Sequence, residues 1–389
     1  MKMPSAAIRE EILRDRVISF ARFMELALYC PETGYYETEK NIVGRAGDFI
    51  TSVSVGELFG QLLAFQFAEW LGELKIQNEP LKIAEAGAHD GKLAADILGW
   101  LKQFRPELFS KIEYWIWEPS PSRRVWQQEK LKEFPNVRWP DYQLSTNRYQ
   151  LTGIIFSNEL LDAMPVHRFG WDAKVKQWFE WGVALDGEKF VWTRCPCQER
   201  RHPAGKNPDS ALSPADKTPA LPEIAPGLPS SILQLPPSLL EVLPDGYTLE
   251  TSPAAEKWWR AAAGMLAHGK LAAIDYGFTV EEQFSPGRLH GTVRAYHRHR
   301  VSDDLLANVG EQDLTAHVNF SAIQKTGEEM GLRTELFGGQ PQFLTRILER
   351  IFKNPTAFGE WSARQTRQFQ TLTHPEHLGR AFRVLVQSR

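Results

Sequence analysis

Cysteine is nearly absent: the 389 residues carry Cys30, Cys195 and Cys197 and no other. Three thiols do not build a disulfide framework, so the fold rests on its apolar core and the chain reads as one from a reducing compartment. Cys195-Pro-Cys197 lacks the two-residue spacing of zinc and redox pairs and reads as two incidental thiols in a loop. Long apolar runs are missing too. None approaches the roughly 18 residues a membrane span needs, so no membrane insertion is expected. Neither sign of charge dominates: 45 Lys+Arg against 48 Asp+Glu leave a net charge of −3. That balance argues against a nucleic-acid partner, which asks for a basic surface, although Arg294 to Arg300 (RAYHRHR) is locally basic. With early acids (Glu10, Glu11, Asp15) and no hydrophobic signal core, neither a secretory signal nor a typical transit peptide is expected in the N-terminal stretch. A bacterial cytoplasm is the expected setting. No internal repeat occurs.

What is present is an ordinary soluble composition, 42% hydrophobic and 24% charged. Residues 8–29 read as helix, with Ser19 as an N-cap and Pro31 as the stop. Residues 55–74 repeat apolar side chains at three-four spacing, from Val55 and Leu58 to Leu71 and Leu74. Strands are expected at 81–86, 112–118, 136–139, 152–157 and 270–276, with helical patterns between the first few. Alternating strands and helices indicate a mainly parallel, doubly wound sheet, which binds ligands at the carboxyl ends of its strands. Glu85, Glu118, Asn158-Glu159 and Asp275 all fall at that edge. Residues 166–169, 177–185 and 189–193 read instead as antiparallel strands, with a hairpin turn at Asp186-Gly187. Residues 196–237, rich in Pro, Ala, Ser and Gly, read as a long mobile insertion or linker. A helix over 252–268 follows.

The most informative stretch is Ile83 to Asp96. An apolar run ends in Glu85, a loop from Gly87 to Gly91 follows, and Leu93, Ile97, Leu98 and Leu101 then mark one helix face. Strand, tight turn and helix N-terminus form a cradle for a nucleotide-like cofactor. Glu118 ends the next apolar run, where a ribose diol is gripped. The spacing Gly87-x-x-x-Gly91, with His89 midway, departs from the Gly-x-Gly-x-x-Gly loop of nicotinamide sites. It suits a ligand without a pyrophosphate, such as S-adenosylmethionine. Glu159 and Asp162 share a face if their turn is helical, and paired carboxylates hold a guanidinium bidentately; helix capping is the plainer reading. The loop Gly44 to Ser52 either closes over a ligand or leads to a helix capped by Ser52 or Ser54. His317 is a candidate base or a structural histidine. His290, His297 and His299 are scattered, and no metal site is expected.

Taken together these blocks resemble the MidA-type methyltransferases, whose mitochondrial members assist assembly of respiratory complex I. The resemblance is carried by Phe20 to Tyr36, Gly47 to Ser52 (GDFITS), Leu58 to Gly60, Glu85 to Leu93, Glu118 with Ser120, Asn158 to Pro165 (NELLDAMP), Ile274 to Gly277 (IDYG), Gly291 to Tyr296, Asp313 to Phe320 (DLTAHVNF), Gln342 to Leu344 and Leu378 to Leu385. It implies a Rossmann-like, seven-stranded class I methyltransferase sheet and S-adenosylmethionine as cofactor. It further implies that Glu85, Gly87 and Gly91 contact the methionine end of the cofactor and that Glu118 takes the ribose hydroxyls. Gly47 and Asp48 would cover the cofactor, with Asn158 also in its site. Glu159 and Asp162 would sit by the transferring methyl; His317 stays a catalytic candidate on its residue type, apart from the resemblance. The mitochondrial members are associated with arginine methylation of a protein subunit, which makes a protein the implied partner.

Four positions depart from the family pattern. His89 stands where glycine is usual, Val53 and Ser54 where proline and glutamate are, and Asn319 where aspartate is frequent. The expected organisation is an N-terminal helical cap (1–80), a core of 81–165 and 245–389, and an inserted β-rich and loop segment (166–244). The leading expectation is an S-adenosylmethionine-dependent methyltransferase acting on a protein, with arginine as one acceptor. The alternative is a cofactor-binding assembly protein with little or no catalysis. A nicotinamide or flavin oxidoreductase ranks third, and an exposed face on helix 55–74 leaves a homodimer open.

Overall fold

The computed structural model describes residues 3–38, 51–74, 80–140, 150–196, 237–297, 300–380 and 382–389. Helices α1 (Pro4–Asp15) and α2 (Phe20–Tyr29) flank strand β1 (Ile18–Ser19). After α3 (Ser52–Val55) and α4 (Leu58–Glu73) the chain alternates: β2 (Leu81–Ala86), α5 (Lys92–Phe104), α6 (Pro106–Phe109), β3 (Ile112–Trp117), α7 (Pro121–Lys130), β4 (Val137–Arg138) and β5 (Leu151–Asn158). Next come β6 (His167–Asp172), β7 (Gln177–Asp186), β8 (Lys189–Arg194), α8 (Pro237–Val242), β9 (Thr248–Thr251), α9 (Pro253–Met265) and the long β10 (Leu266–Phe278). The remainder is α10 (Val280–Gln283), β11 (Arg294–His297), β12 (Arg300–Ser302), β13 (Asp313–Thr315), β14 (Val318–Asn319), α11 (Phe320–Glu329), β15 (Arg333–Gly339), α12 (Gln340–Lys353), α13 (Ala363–Thr373) and β16 (Phe382–Ser388).

Seven strands follow the order β15-β16-β10-β5-β2-β3-β4, and β14 pairs with β10 off that path. The pairs from β10 through β5, β2 and β3 to β4 are parallel. β16 runs antiparallel between β10 and β15. This is the seven-stranded class I methyltransferase sheet that the resemblance implies. β5 explains why its centre holds: all eight residues of Leu-Thr-Gly-Ile-Ile-Phe-Ser-Asn are buried, the signature of a strand covered on both faces. Ile154 and Phe156 point to one core with α4, α5 and α12, and Ile155 points to a second core with α9 and α11. Full burial of each such side chain contributes about 2 kcal/mol.

Two smaller sheets grow from the carboxyl edge. β7 pairs with β1, β6 and β8, and β6 pairs with β9. β11 lies between β12 and β13. The N-terminal helices pack between them: Phe20, Phe23, Met24 and Leu28 of α2 share a core with Val183, Val293, Ala295 and Leu314.

The sequence expectations are adjusted in four places. The helix expected over 8–29 is two helices, broken at Arg16 (φ 67), because Ile18-Ser19 pairs with Val183 and Gly182 of β7. Ser19 caps the second helix as expected, accepting from the Arg22 N–H at 3.2 Å. The helix expected over 55–74 starts at Leu58; Ser52–Val55 is a separate turn, and Gly56 (φ 150) divides them. That turn is capped by Thr51 rather than by Ser52 or Ser54; Ser54 closes the capping box. β10 runs from Leu266 to Phe278, starting earlier than the expected 270–276 and ending just past it, and the insertion expected over 196–237 lies outside the described residues except at its two ends.

Candidate functional site

Between β2 and α5 the turn needs three residues in the left-handed region: Gly87 (φ 77), His89 (φ 47) and Gly91 (φ 82). A Cβ at Gly87 would lie 3.0 Å from Leu160 Cδ1, and one at Gly91 3.3 Å from Leu131 Cδ1. His89 does therefore occupy the conformation that favours glycine, at a cost on the order of 1 kcal/mol. Two attachments hold it. Its carbonyl accepts from Gln127 Nε2 at 2.9 Å, and the neighbouring Asp90 accepts from the Lys92 N–H at 2.9 Å and pairs with Lys130 at 3.1 Å. Burial works to raise Asp90, but His89, the Lys92 N–H and Lys130 outweigh it and hold the carboxyl below its usual range. Beneath the turn, Glu85 is buried and accepts from the Tyr114 hydroxyl at 2.7 Å. Burial pushes its carboxyl up to about 8, with Tyr114 opposing.

Glu118 follows β3 and is 2% exposed. One oxygen accepts from the Ser120 N–H at 2.9 Å and the other from Gln127 Nε2 at 3.0 Å. Burial raises its carboxyl, while the Arg123 charge 4.0 Å away opposes that rise. The N-terminal segment reaches this acid: the Ser120 hydroxyl donates to Glu37 at 2.6 Å, and Arg123 donates twice to the Tyr36 carbonyl at 2.9 and 2.8 Å. A carboxylate with each oxygen holding one donor keeps lone pairs for two more, so Glu118 fits a ribose diol.

Beyond β5 the chain does not turn into a helix. Glu159 sits at φ 51, and an irregular turn runs from Leu160 to Met164. The side-by-side helical placement of Glu159 and Asp162 is therefore corrected: Asp275 gathers the turn instead, accepting from the N–H groups of Leu160 at 3.2 Å and Leu161 at 2.9 Å. Asp275 also stands close to Asp162 and raises its carboxyl. Glu159 Oε1 accepts from Asn158 Nδ2 at 3.1 Å and from the Ser52 N–H at 3.3 Å. Among the described residues, Glu159 Oε2 and Asn158 Oδ1 are buried without a hydrogen-bond partner.

The acids raise one another. Burial and then the Asp162 charge push Glu159 up to about 8. Burial, together with Glu159, lifts Asp275 to about 7 against the N–H groups it accepts from. Burial, Asp275 and Asp313 hold Asp162 well above the carboxylate range. Asp313 arrives from β13 and accepts from the Tyr36 hydroxyl at 2.7 Å. A cavity of about 210 Å³ opens beside the cluster, with Asp162, Asp313, Tyr276, Tyr296, Arg294 and His317 in its walls. Burial, then the Arg288 and Arg294 charges, lower His317 to about 4, so its imidazole is neutral near pH 7.

Of the site residues expected from sequence, the structure brings Glu85, Gly87, Gly91, Glu118, Asn158, Glu159 and Asp162 to one sheet edge. His317 shares a cavity wall with Asp162. Gly47 and Asp48 lie outside the described residues. Asn319, where the family often has aspartate, caps α11 by accepting from the Ala322 N–H at 3.2 Å, a task both residues perform. Sequence reading missed the cluster role of Asp275, whose place after an apolar run was a usable signal. It also missed Asp313 and Tyr36, which meet only through tertiary folding.

Comparison with known proteins gives the family. Residues 62–338 match the family described as S-adenosyl-L-methionine-dependent methyltransferase. The mitochondrial protein arginine methyltransferase NDUFAF7 homolog of Drosophila melanogaster is 25% identical over 417 residues, covering 97% of this chain and 83% of that protein. The mitochondrial protein arginine methyltransferase NDUFAF7 of Danio rerio is 26% identical over 340 residues, covering 82% and 70%. A crystal structure of a Burkholderia thailandensis protein bound to S-adenosyl-homocysteine is 30% identical with a TM-score of 0.80, over 99% of this chain and 92% of that one.

Proposed function

The chain belongs to the family of S-adenosyl-L-methionine-dependent methyltransferases, and from that premise we propose that its acceptor is an arginine side chain of a protein. The cofactor is S-adenosylmethionine; when bound it supplies an electrophilic methyl on a sulfonium. The observation that carries the acceptor is the set of carboxyls at Asp162, Asp275 and Asp313, all buried, and at half-buried Glu159, beside two unpartnered acceptors, Glu159 Oε2 and Asn158 Oδ1. A guanidinium brings five N–H donors and a positive charge, which is the complement of acceptors without donors. The names of the Drosophila and zebrafish relatives support the same reading.

In this reading Gly87 and Gly91 keep the backbone bare where the cofactor lies, and Glu118 takes its ribose hydroxyls. Glu159 receives the guanidinium and aligns one nitrogen for in-line attack, with Asp162 in support. Alignment is most of what such a displacement asks of a protein. As the nitrogen gains the methyl it loses one N–H proton, and a carboxylate of the cluster accepts it. Charge balances: sulfonium and guanidinium become thioether, methylguanidinium and a proton. His317, with a conjugate acid near 4, is too weak a base for that proton near pH 7 and serves as a cavity wall. The test is Glu159→Gln. Cofactor affinity stays nearly intact, and turnover on an arginine peptide falls by about 100-fold or more. Unchanged turnover refutes the role.

A further inference from the structure

The cavity beside the acid cluster has an acid end and a basic end. Asp162 (6% exposed) and Asp313 (0%) form its inner end, and Tyr276 and Tyr296 give it aromatic walls. Arg294 stands at its outer end, exposed to solvent. At about 210 Å³ it is smaller than the usual small-molecule site and suits one inserted side chain. Acids with aromatic faces beside them take a guanidinium by ion pairing and stacking.

The outer end needs a different partner. Arg294 spends Nη1 on the adjacent Val293 carbonyl at 2.8 Å and, among the described residues, has no carboxylate within ion-pair distance. Arg288 lies over the Phe278 ring at 4.8 Å and likewise pairs with no described carboxylate. Both guanidinium charges act on the same histidine, His317; Arg294 is the one that lines the cavity. Arg294 also begins the basic run that continues to Arg300 in the sequence. An exposed cation without a described carboxylate partner, standing over an acidic floor, rejects an arginine set among basic residues and accepts one set among acids.

We infer that this cavity is the acceptor subsite and that it selects an arginine flanked by aspartate or glutamate in the substrate chain, with Arg294 reading the flanking carboxylate. The inference rests on the arginine reading above and adds the substrate's sequence context to it. Arg294 acts here on binding, not on the methyl transfer itself.

Two peptides test it, each with one central arginine, one flanked by Asp and Glu and the other by Lys. They are titrated at low ionic strength into the protein loaded with S-adenosylhomocysteine. The acidic-flanked peptide is expected to bind at least about fivefold tighter, the scale of one exposed ion pair. Arg294→Glu is expected to abolish or reverse that preference, and initial-rate assays should show the change in KM with little change in kcat. Equal binding of the two peptides, or a preference that survives Arg294→Glu, overturns the selectivity while leaving arginine as acceptor. Binding of neither peptide, by protein that still takes up the cofactor product, overturns the arginine reading as well.

Discussion

Glu159→Gln should stabilise the protein while disabling it, and the gain should depend on pH. In the folded state the Glu159 carboxyl keeps its proton up to about 8, against 4.5 for the free group. Between those values the folded protein holds a proton that the unfolded chain has lost, so stability falls as pH rises, by about 1.4 kcal/mol per unit. Over the 2.5 units from 4.5 to 7 the loss is roughly 3 kcal/mol, and above 8 it levels off at roughly 5 kcal/mol. Glu159 keeps some solvent contact, which makes both figures upper bounds. The amide has the same shape and no proton to lose. Urea unfolding of wild type and variant, without cofactor, should therefore nearly coincide at pH 5 and separate by pH 8, with the variant the more stable. The opposite order at pH 8, or a separation that ignores pH, would refute the picture of a cluster held proton-filled by burial.

Glu118→Gln should weaken S-adenosylmethionine binding about 10- to 100-fold by calorimetry, the scale of hydrogen bonds to a charged group, and leave the peptide preference unaltered. Gly87→Ala should destabilise the fold by about 1–2 kcal/mol and cut cofactor affinity, because φ 77 strains any Cβ and Leu160 stands 3.0 Å from it. Thermal melts with and without cofactor separate the two effects. Tyr36→Phe removes the donor to Asp313 and keeps the ring stacked on Tyr29 (5.5 Å) and beneath Arg123 (5.0 Å). Acceptor KM should rise about fivefold with cofactor affinity nearly constant.

Legibility followed sequence distance. The turn from Glu85 to Gly91 and the acid at Glu118 are local features, each a few residues long with a hydrophobic run before it, and they were readable as a cofactor cradle. The central strands were readable for the same reason: β5 is apolar almost end to end, as a strand covered on both faces must be. The break between α1 and α2 was not, since residues 8–29 look continuous until β7, some 160 residues later, pairs with Ile18-Ser19. The Glu159–Asp162 pair was found, but by a helical spacing that does not exist. What joins the two acids is Asp275, more than 110 residues onward. Asp313 and Tyr36, 277 positions apart, meet because β13 and α2 share a core, and no window of sequence contains both.

That long-range assembly gives the site its chemistry. A single buried carboxyl would release its proton to solvent as a guanidinium arrives, at modest gain. A set of acids that raise one another is different: Glu159 near 8 and Asp275 near 7 are each held up partly by their neighbours. One cation entering such a set relieves several repulsions at once, so it binds with release of protons and binds more strongly as pH approaches 8. The folded protein bears the strain of that cluster while it is empty. Tyr36 ties the same cluster to the Arg123–Glu118 end of the cofactor site through its hydroxyl and its carbonyl. The N-terminal segment is therefore the covalent link by which ordering of the ribose acid and ordering of the acceptor cavity reach each other.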